Sequence, residues 1–416
     1  MRYLAGLFLI ISLHAPNLYS YSVLTHEAII DSVWQESIQP LLLQRFPRAR
    51  ASDLKKARAH AYGGSIVQDM GYYPFGSHFF TDLVHYVRSG DFVGVMLRNA
   101  RSLDEYAFAL GALAHYAADT NGHPIGINRS VPILYPKLKR KFGAEVTFAD
   151  DPGSHLKTEF GFDVLQVAKG RYLSDAYHDY IGFEVSKPLI ERAFQETYGL
   201  ELKDVFGALD LSIGTYRRTV SGLIPKMTKV AWSIKEDEIR KSAPGITREK
   251  FLYNLSRVDY EKEWGTDYQK PGTGSRLLAF VIRIIPKVGP LKALSFRTPT
   301  PQAEKLFMES FNATIERYRA LLASERTRRV QLPDVNLDVG KATAAGMYKI
   351  ADKTYARLVD ELSMHGFAGI PAELRQNILA FYKDDSVPTS KDDGKDRLKL
   401  QQQLERLRGA TASSRP

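Results

Sequence analysis

The sequence predicts an all-α protein. Two observations carry this. Apolar residues recur at three- and four-residue spacing through most of the chain, as Phe307, Phe311, Ile315 and Tyr318 do, and the strict alternation of a half-buried strand is rare. With 416 residues and a hydrophobic content of 44%, the chain is long enough to bury a sizeable core, and no internal repeat divides it.

Residues 1–20, MRYLAGLFLIISLHAPNLYS, read as a secretory signal. Arg2 gives the positive start, residues 4–13 the apolar run, and Ser20 a small residue at the cut, which leaves Tyr21 first. The run is too short to span a bilayer comfortably. A secreted or periplasmic protein is therefore expected.

Next, Thr25 is placed to cap a helix through HEAIIDSVW. Residues 51–68 are helical, bent or ended in part by Gly63 and Gly64. GYYPFGSHFF is a loop by its glycines and proline, and residues 103–121 form a further helix. Residues 124–153, rich in proline and glycine, read as an irregular connection, and a helix begins near Pro152. Helical periodicity continues over 185–200, 207–240, 300–324, 336–364 and 371–383. SRLLAFVIRIIPKVGPLKAL, residues 275–294, carries Arg283, Lys287 and Lys292 and is broken by Pro286 and Pro290. It fits a core helix pair or a peripheral membrane contact with its basic groups at the headgroups. The tail from 386 is charged and partly disordered, with a short surface helix at its centre.

The net charge of +10 suits an anionic partner, such as a phospholipid surface, nucleic acid or a phosphate ester, and also simple solubility. The absence of cysteine excludes thiol catalysis, disulfides and thiolate metal sites. A metal would have to be held by His, Asp and Glu. No feature predicts a protein partner.

The residues that carry chemistry begin in LGALAHYAADTNGHP. His115 and Asp119 stand at i and i+4, on one face of an otherwise apolar helix. A carboxylate buried there alone is expensive, and a shared cation removes that cost. His155 and Glu159 repeat the spacing. His26 sits near the start of its helix, and Asp69 and His78 bracket the glycine-rich loop. Singly, each fits an ordinary hydrogen-bonded side chain. Together they are more nitrogen and oxygen ligands than one metal needs.

The order Tyr21, His26, Asp69, His78, His115, Asp119, His123, His155 and Glu159 resembles the zinc-dependent phospholipase C family and the related single-strand-specific zinc nucleases. THEAII, SHFF and LGALAHYAAD also look like the family; the resemblance covers residues 21 to about 160. It implies a multi-helix phospholipase C/nuclease-like fold with a catalytic domain over 21–240, a helical C-terminal extension over 241–385 and the tail at 386–416. It implies two to three zinc ions. One would take Asp69, His78, His115 and Asp119; a second His123, His155 and Glu159; a third the Tyr21 amine and carbonyl, His26 and again Asp119. Two departures stand out: tyrosine replaces the family's usual first tryptophan, and His123 follows His115 closely, with Gly122 and Pro124 expected to end the helix there. His85 is the substitute for His78; His60, His178 and His365 are expected to be structural.

The implied chemistry is metal-assisted hydrolysis of a phosphate ester, with Asp69 orienting the attacking water or taking its proton. Glu159 favours a phospholipase; the close Tyr21–His26 spacing leans towards a nuclease. Tyr72, Tyr73 and Phe75 are candidate substrate contacts, whether as platforms for bases or as an acyl-chain or choline-type pocket. The third reading is an exported helical protein that binds metal or lipid without catalysis.

Overall fold

A computed structural model of the chain describes residues 23–171, 183–220, 224–247, 295–383 and 394–409. The proposed signal, Tyr21 and the segment 275–294 lie outside these residues. The described residues form helices joined by turns and irregular connections, with no strand among them; an isolated bridge pairs Asn336 with Lys341. No helix of the described residues is long and apolar enough to cross a membrane.

The first half runs α1 (Val23–Val33), a π turn, α2 (Gln39–Arg45), α3 (Ala51–Gly64), a 3-10 turn (Val67–Tyr72), α4 (His78–Tyr86), α5 (Ser89–Asn99) and α6 (Leu103–Asn121). After a second π turn (Gly122–Ile127) come α7 (Asn128–Leu134), α8 (Pro136–Phe142) and α9 (Pro152–Ala168). The helices α10 (Lys187–Tyr198), α11 (Leu202–Val205), α12 (Leu209–Arg218) and α13 (Ile224–Ser242) follow. The chain closes with α14 (Pro301–Arg326), α15 (Lys349–Met364), α16 (Ala372–Phe381) and α17 (Gly394–Gly409).

The centre of the assembly is α6. Ser102 caps it by accepting the Glu105 N–H at 3.2 Å, and every residue from 106 to 119 is buried. A helix hydrophobic all round survives in water only when other helices cover it on every side. On one side α3 crosses at almost no distance. A Cβ added at Gly64 would lie 2.0 Å from the Phe108 carbonyl oxygen, and one at Gly111 would lie 2.1 Å from that of Ala61. On another side α14 is tied down by the Tyr318 hydroxyl, which donates to the Leu110 carbonyl at 2.8 Å. Phe162 of α9 stacks on Phe307 of α14 with centroids 4.4 Å apart, and burial of each ring contributes about 2–3 kcal/mol.

The C-terminal half is therefore packed onto the helices that carry the candidate ligands: α14 lies along α6, α7 and the second π turn, α15 along α4, and α17 along α15. Leu400, Leu404 and Leu407 anchor α17, so the centre of the charged tail is an ordered helix.

Three expectations are corrected. Residues 336–364 are helical only from Lys349; before it Pro333 and Gly340, with φ +67°, impose an irregular path. Residues 124–153 hold two short helices, with Pro136 in the first turn of α8, where its missing N–H costs nothing. Gly122 and Pro124 do not end the helical path after α6. They widen it into a π turn, whose longer ring tolerates a proline.

Candidate metal centre

Six elements deliver the polar cluster into the core. His26 comes from α1, Asp69 from the 3-10 turn, His85 from α4, His115 and Asp119 from α6, His123 from the π turn, and His155 and Glu159 from α9. All eight are buried, none more than 4% exposed. Their donor atoms converge in three sets, each within 4.8 Å: His26, Asp69 and His115; His85, His115 and Asp119; and His123, His155 and Glu159.

Asp119 joins the sets. Its Oδ2 faces His115 Nε2 at 3.0 Å and His85 Nε2 at 3.5 Å, while Oδ1 faces His123 Nε2 at 3.5 Å and His26 Nε2 at 3.8 Å. The one carboxylate thus points its two oxygens at different histidines. Asp69 Oδ1 lies 3.5 Å from His85 Nε2. Its turn is pinned by Gln68 Nε2, which donates to the Ala112 carbonyl at 3.0 Å, and by the Gly71 N–H, which donates to Thr81 Oγ1 at 2.9 Å.

The far nitrogens of three imidazoles are committed. His115 Nδ1 lies 2.9 Å from the Ser65 carbonyl, His85 Nδ1 2.8 Å from the Thr81 carbonyl, and His155 Nε2 2.9 Å from Asn128 Oδ1. A carbonyl oxygen only accepts, so each of these nitrogens carries its proton there. Where such a ring is neutral, its other nitrogen presents a lone pair to a carboxylate. Lone pair against carboxylate is repulsive unless a proton or a metal ion lies between them. Consistently, His115 Nε2, Asp119 Oδ1, His155 Nδ1 and Glu159 Oε1 are buried and make no hydrogen bond. Buried polar atoms without hydrogen bonds are costly, and metal-binding histidines usually donate their second N–H in this manner. The donor set, all imidazole and carboxylate, fits zinc.

The electrostatics agree. Burial opposes charge on Asp119, but His115 and His123 outweigh it and hold the carboxyl well below the usual range. Burial would lower His123, yet Asp119 lifts it to about 9, and Asp119 and Asp69 likewise raise His85. Without metal, protons gather where a cation would sit. Burial, helped by neighbouring histidines, keeps His26 well down and His155 at about 3, the neutral state a ligand needs. Burial raises Glu159.

The structure places His85, not His78, in the cluster. Ser77 caps α4 by accepting the Phe80 N–H at 3.2 Å, so His78 is the helix's first residue and lies exposed at its end. His85, two turns further on, reaches the core. The three aromatic candidates separate. Tyr72 is buried with its ring 6.5 Å from His85 and 6.2 Å from Phe148. Tyr73 is buried edge-on against Tyr216 at 5.0 Å. Phe75 is 63% exposed in a left-handed conformation. His60 is buried 3.6 Å from Asp104, and His365 is at the surface. His178 lies outside the described residues.

Sequence reasoning missed Asp163. It continues the His155–Glu159 spacing by four residues, so it shares their face of α9. Its carboxylate accepts the Leu24 N–H at 3.0 Å and the Thr25 hydroxyl at 2.7 Å. The start of α1 is capped from α9, with Thr25 bound to Asp163 instead of acting as the cap itself. Asn128 and Asp338 were missed as well; neither stands at a ligand spacing.

Residues 25–208 match the family described as zinc dependent phospholipase C. No curated protein and no solved structure matches the chain.

Proposed function

Since residues 25–208 belong to the zinc-dependent phospholipase C family, we propose that this protein is an exported phospholipase C, hydrolysing phospholipid to diacylglycerol and a phosphorylated head group. The observation that carries a multi-metal hydrolase is Asp119, whose two oxygens face separate sets of histidines. In this reading one set is His85, His115, Asp119 and Asp69, the second is His123, His155 and Glu159, and His26 joins Asp119 with the processed N terminus, Tyr21, as a third. Two to three zinc ions follow.

Bound zinc would supply Lewis acidity and a water of lowered pKa. The chain's own groups do the rest. The Ser65, Thr81 and Asn128 oxygens each hold the far nitrogen of one imidazole, so that its other nitrogen is turned towards the carboxylates. Asp69 orients the attacking water or takes its proton, and sits on a turn pinned to both α4 and α6. Tyr72 and Phe148 form an aromatic wall beside His85 and His155, fit for a lipid head group. The basic charge of the chain favours an anionic surface.

The test is metal content with activity. Mature protein beginning at Tyr21 is expected to carry two to three zincs and to release head group from phosphatidylcholine, and a chelator abolishes the reaction. Protein with that N terminus but without zinc refutes the reading. Cleavage of single-stranded DNA in preference to lipid, in the same assay, establishes the nuclease instead. A full zinc complement without turnover of either identifies a binding protein.

A further inference from the structure

Residues 333–341 lie outside the segment that matches the family, yet they touch three of the elements that carry the cluster. The Leu337 N–H donates to the carbonyl of His85 at 3.1 Å. The Asp338 carbonyl accepts Asn128 Nδ2 at 2.8 Å, and its carboxylate accepts the hydroxyls of Tyr86 at 2.8 Å and Tyr348 at 2.5 Å. Gly340, at φ +67°, lies so near the end of α6 that a Cβ would come within 2.5 Å of the Thr120 carbonyl and 3.2 Å of Pro124 Cγ. The Tyr116 hydroxyl of α6 donates to the Pro333 carbonyl at 2.8 Å. The segment thus lies flush against the helix end that bears Asp119 and His123.

We propose that this segment is a built-in brace of the second ligand set, and that Asn128 is a positioning residue that presents His155 Nδ1 to it. The inference rests on the zinc reading above. The argument concerns which nitrogen of His155 holds the proton. His155 is fully buried, so no solvent chooses. The side-chain amide of Asn128 offers a donor at one end and an acceptor at the other. Because Nδ2 is taken by the Asp338 carbonyl, which only accepts, Oδ1 must be the end that meets His155 Nε2 at 2.9 Å. Nε2 then carries the proton, and Nδ1, 3.0 Å from Glu159 Oε1, keeps its lone pair. Turned over, the amide would set its own oxygen against the Asp338 carbonyl, two acceptors together at 2.8 Å. Asp338 is held in place by two tyrosine hydroxyls, so the orientation of His155 is set by the far half of the chain.

The experiment uses the full mature protein. Nitrogen-15 histidine spectra of the metal-free form are expected to show His155 as the Nε2–H tautomer. Zinc titration against a chromophoric chelator then reads each class of site. Asn128→Leu removes the acceptor and lowers zinc affinity at one class about 10–100-fold, while the others keep theirs. Asn128→Asp keeps an oxygen towards His155 but sets a second acceptor against the Asp338 carbonyl, and recovers only part of that affinity. Tyr348→Phe, which loosens Asp338 and leaves Asn128 intact, gives a smaller loss at the same class, and remains readable where Asn128→Leu fails to fold. Wild-type affinity at every class in these variants, an equal loss at all classes, or an Nδ1–H tautomer in the native protein overturns the proposal. Native protein that takes up no zinc refutes the metal reading and leaves the tautomer result to decide this one.

Discussion

The close approach of α3 and α6 is also the approach that orients a ligand, and Gly111→Ala tests both. The added methyl would stand 2.1 Å from the Ala61 carbonyl oxygen and 2.8 Å from the Ser65 nitrogen, where ordinary contact begins near 3.4 Å. Both neighbours are backbone, so no side chain can swing away; α3 and α6 must separate by more than 1 Å. Overpacking of this kind costs about 1–3 kcal/mol, and a clash with backbone belongs at the upper end. The same displacement has a chemical consequence. His115 lies one turn beyond Gly111 on the same face, and its Nδ1 donates to Ser65 at 2.9 Å. Stretched by 1 Å, that contact is no longer a hydrogen bond, and the lone pair of Nε2 is no longer assured. Zinc affinity is expected to fall about 10–100-fold. Differential scanning calorimetry of the metal-free protein and zinc titration measure the two effects separately. Gly94→Ala, where the new methyl meets only a flexible guanidinium at 3.3 Å, is the control and is expected to be neutral or stabilising. A Gly111→Ala protein with native stability and native zinc binding refutes the reasoning.

Three more outcomes are expected. Asp119→Asn loses at least one zinc, and with it the part of the thermal stability that a chelator removes from the wild type, about 2.7 kcal/mol for an ion present at a hundred times its Kd; retention of every zinc counts against the bridging role. Asp163→Asn weakens the charge-assisted bonds to Leu24 and Thr25, costs about 1–3 kcal/mol and speeds amide exchange in α1, where unchanged exchange refutes the capping. Burial pushes Asp334 up to about 6, so the folded state keeps a proton the unfolded state has lost, and stability falls as pH rises from about 4 to 6. Asp334→Asn keeps an oxygen for the Asp91 N–H and should be the more stable protein at pH 8 by about 1–2 kcal/mol, after allowance for partial exposure, and equal to wild type at pH 4; equal melting at both pH values refutes the assignment.

Helix positions were legible because burial leaves a period in the sequence. The helix over 103–121 is legible to its ends, since the apolar run marks it plainly. The irregular stretch before Lys349 was not, because Leu337 and Val339 continue an apolar pattern while the turn is decided by Gly340 and by hydrogen bonds to residues far away in sequence. The ligand spacing of His115, Asp119, His155 and Glu159 was legible for the same local reason. His78 was preferred over His85 because it lies nearer the expected loop. Recognising Ser77 as a cap would have corrected this, for it makes His78 the first residue of a helix and sends the residue seven further on into the core.

The spacing of the α6 residues also explains why a single carboxylate can serve two sets. At 3.6 residues per turn, side chains four apart are rotated by about 40° about the helix axis. A His–Asp–His series at i, i+4 and i+8 is therefore a fan, and the middle member faces both outer ones. The distances obey this: Asp119 Oδ2 is 3.0 Å from His115 and Oδ1 is 3.5 Å from His123. The third blade works only if the chain stays helical past Asn121 despite Pro124. The π turn allows that, since the wider ring avoids the clash a proline makes in an α-helix. Such a turn is poorer in regular hydrogen bonds than the helix it follows, so it needs covering. The brace at Gly340 and the side of α14 provide that cover, with Ser310 Oγ 2.5 Å from where a Cβ of Gly126 would lie. On this reasoning the C-terminal half is required to keep His123 in the fan. A chain ending after α9 would keep the spacing of its ligands and lose their convergence.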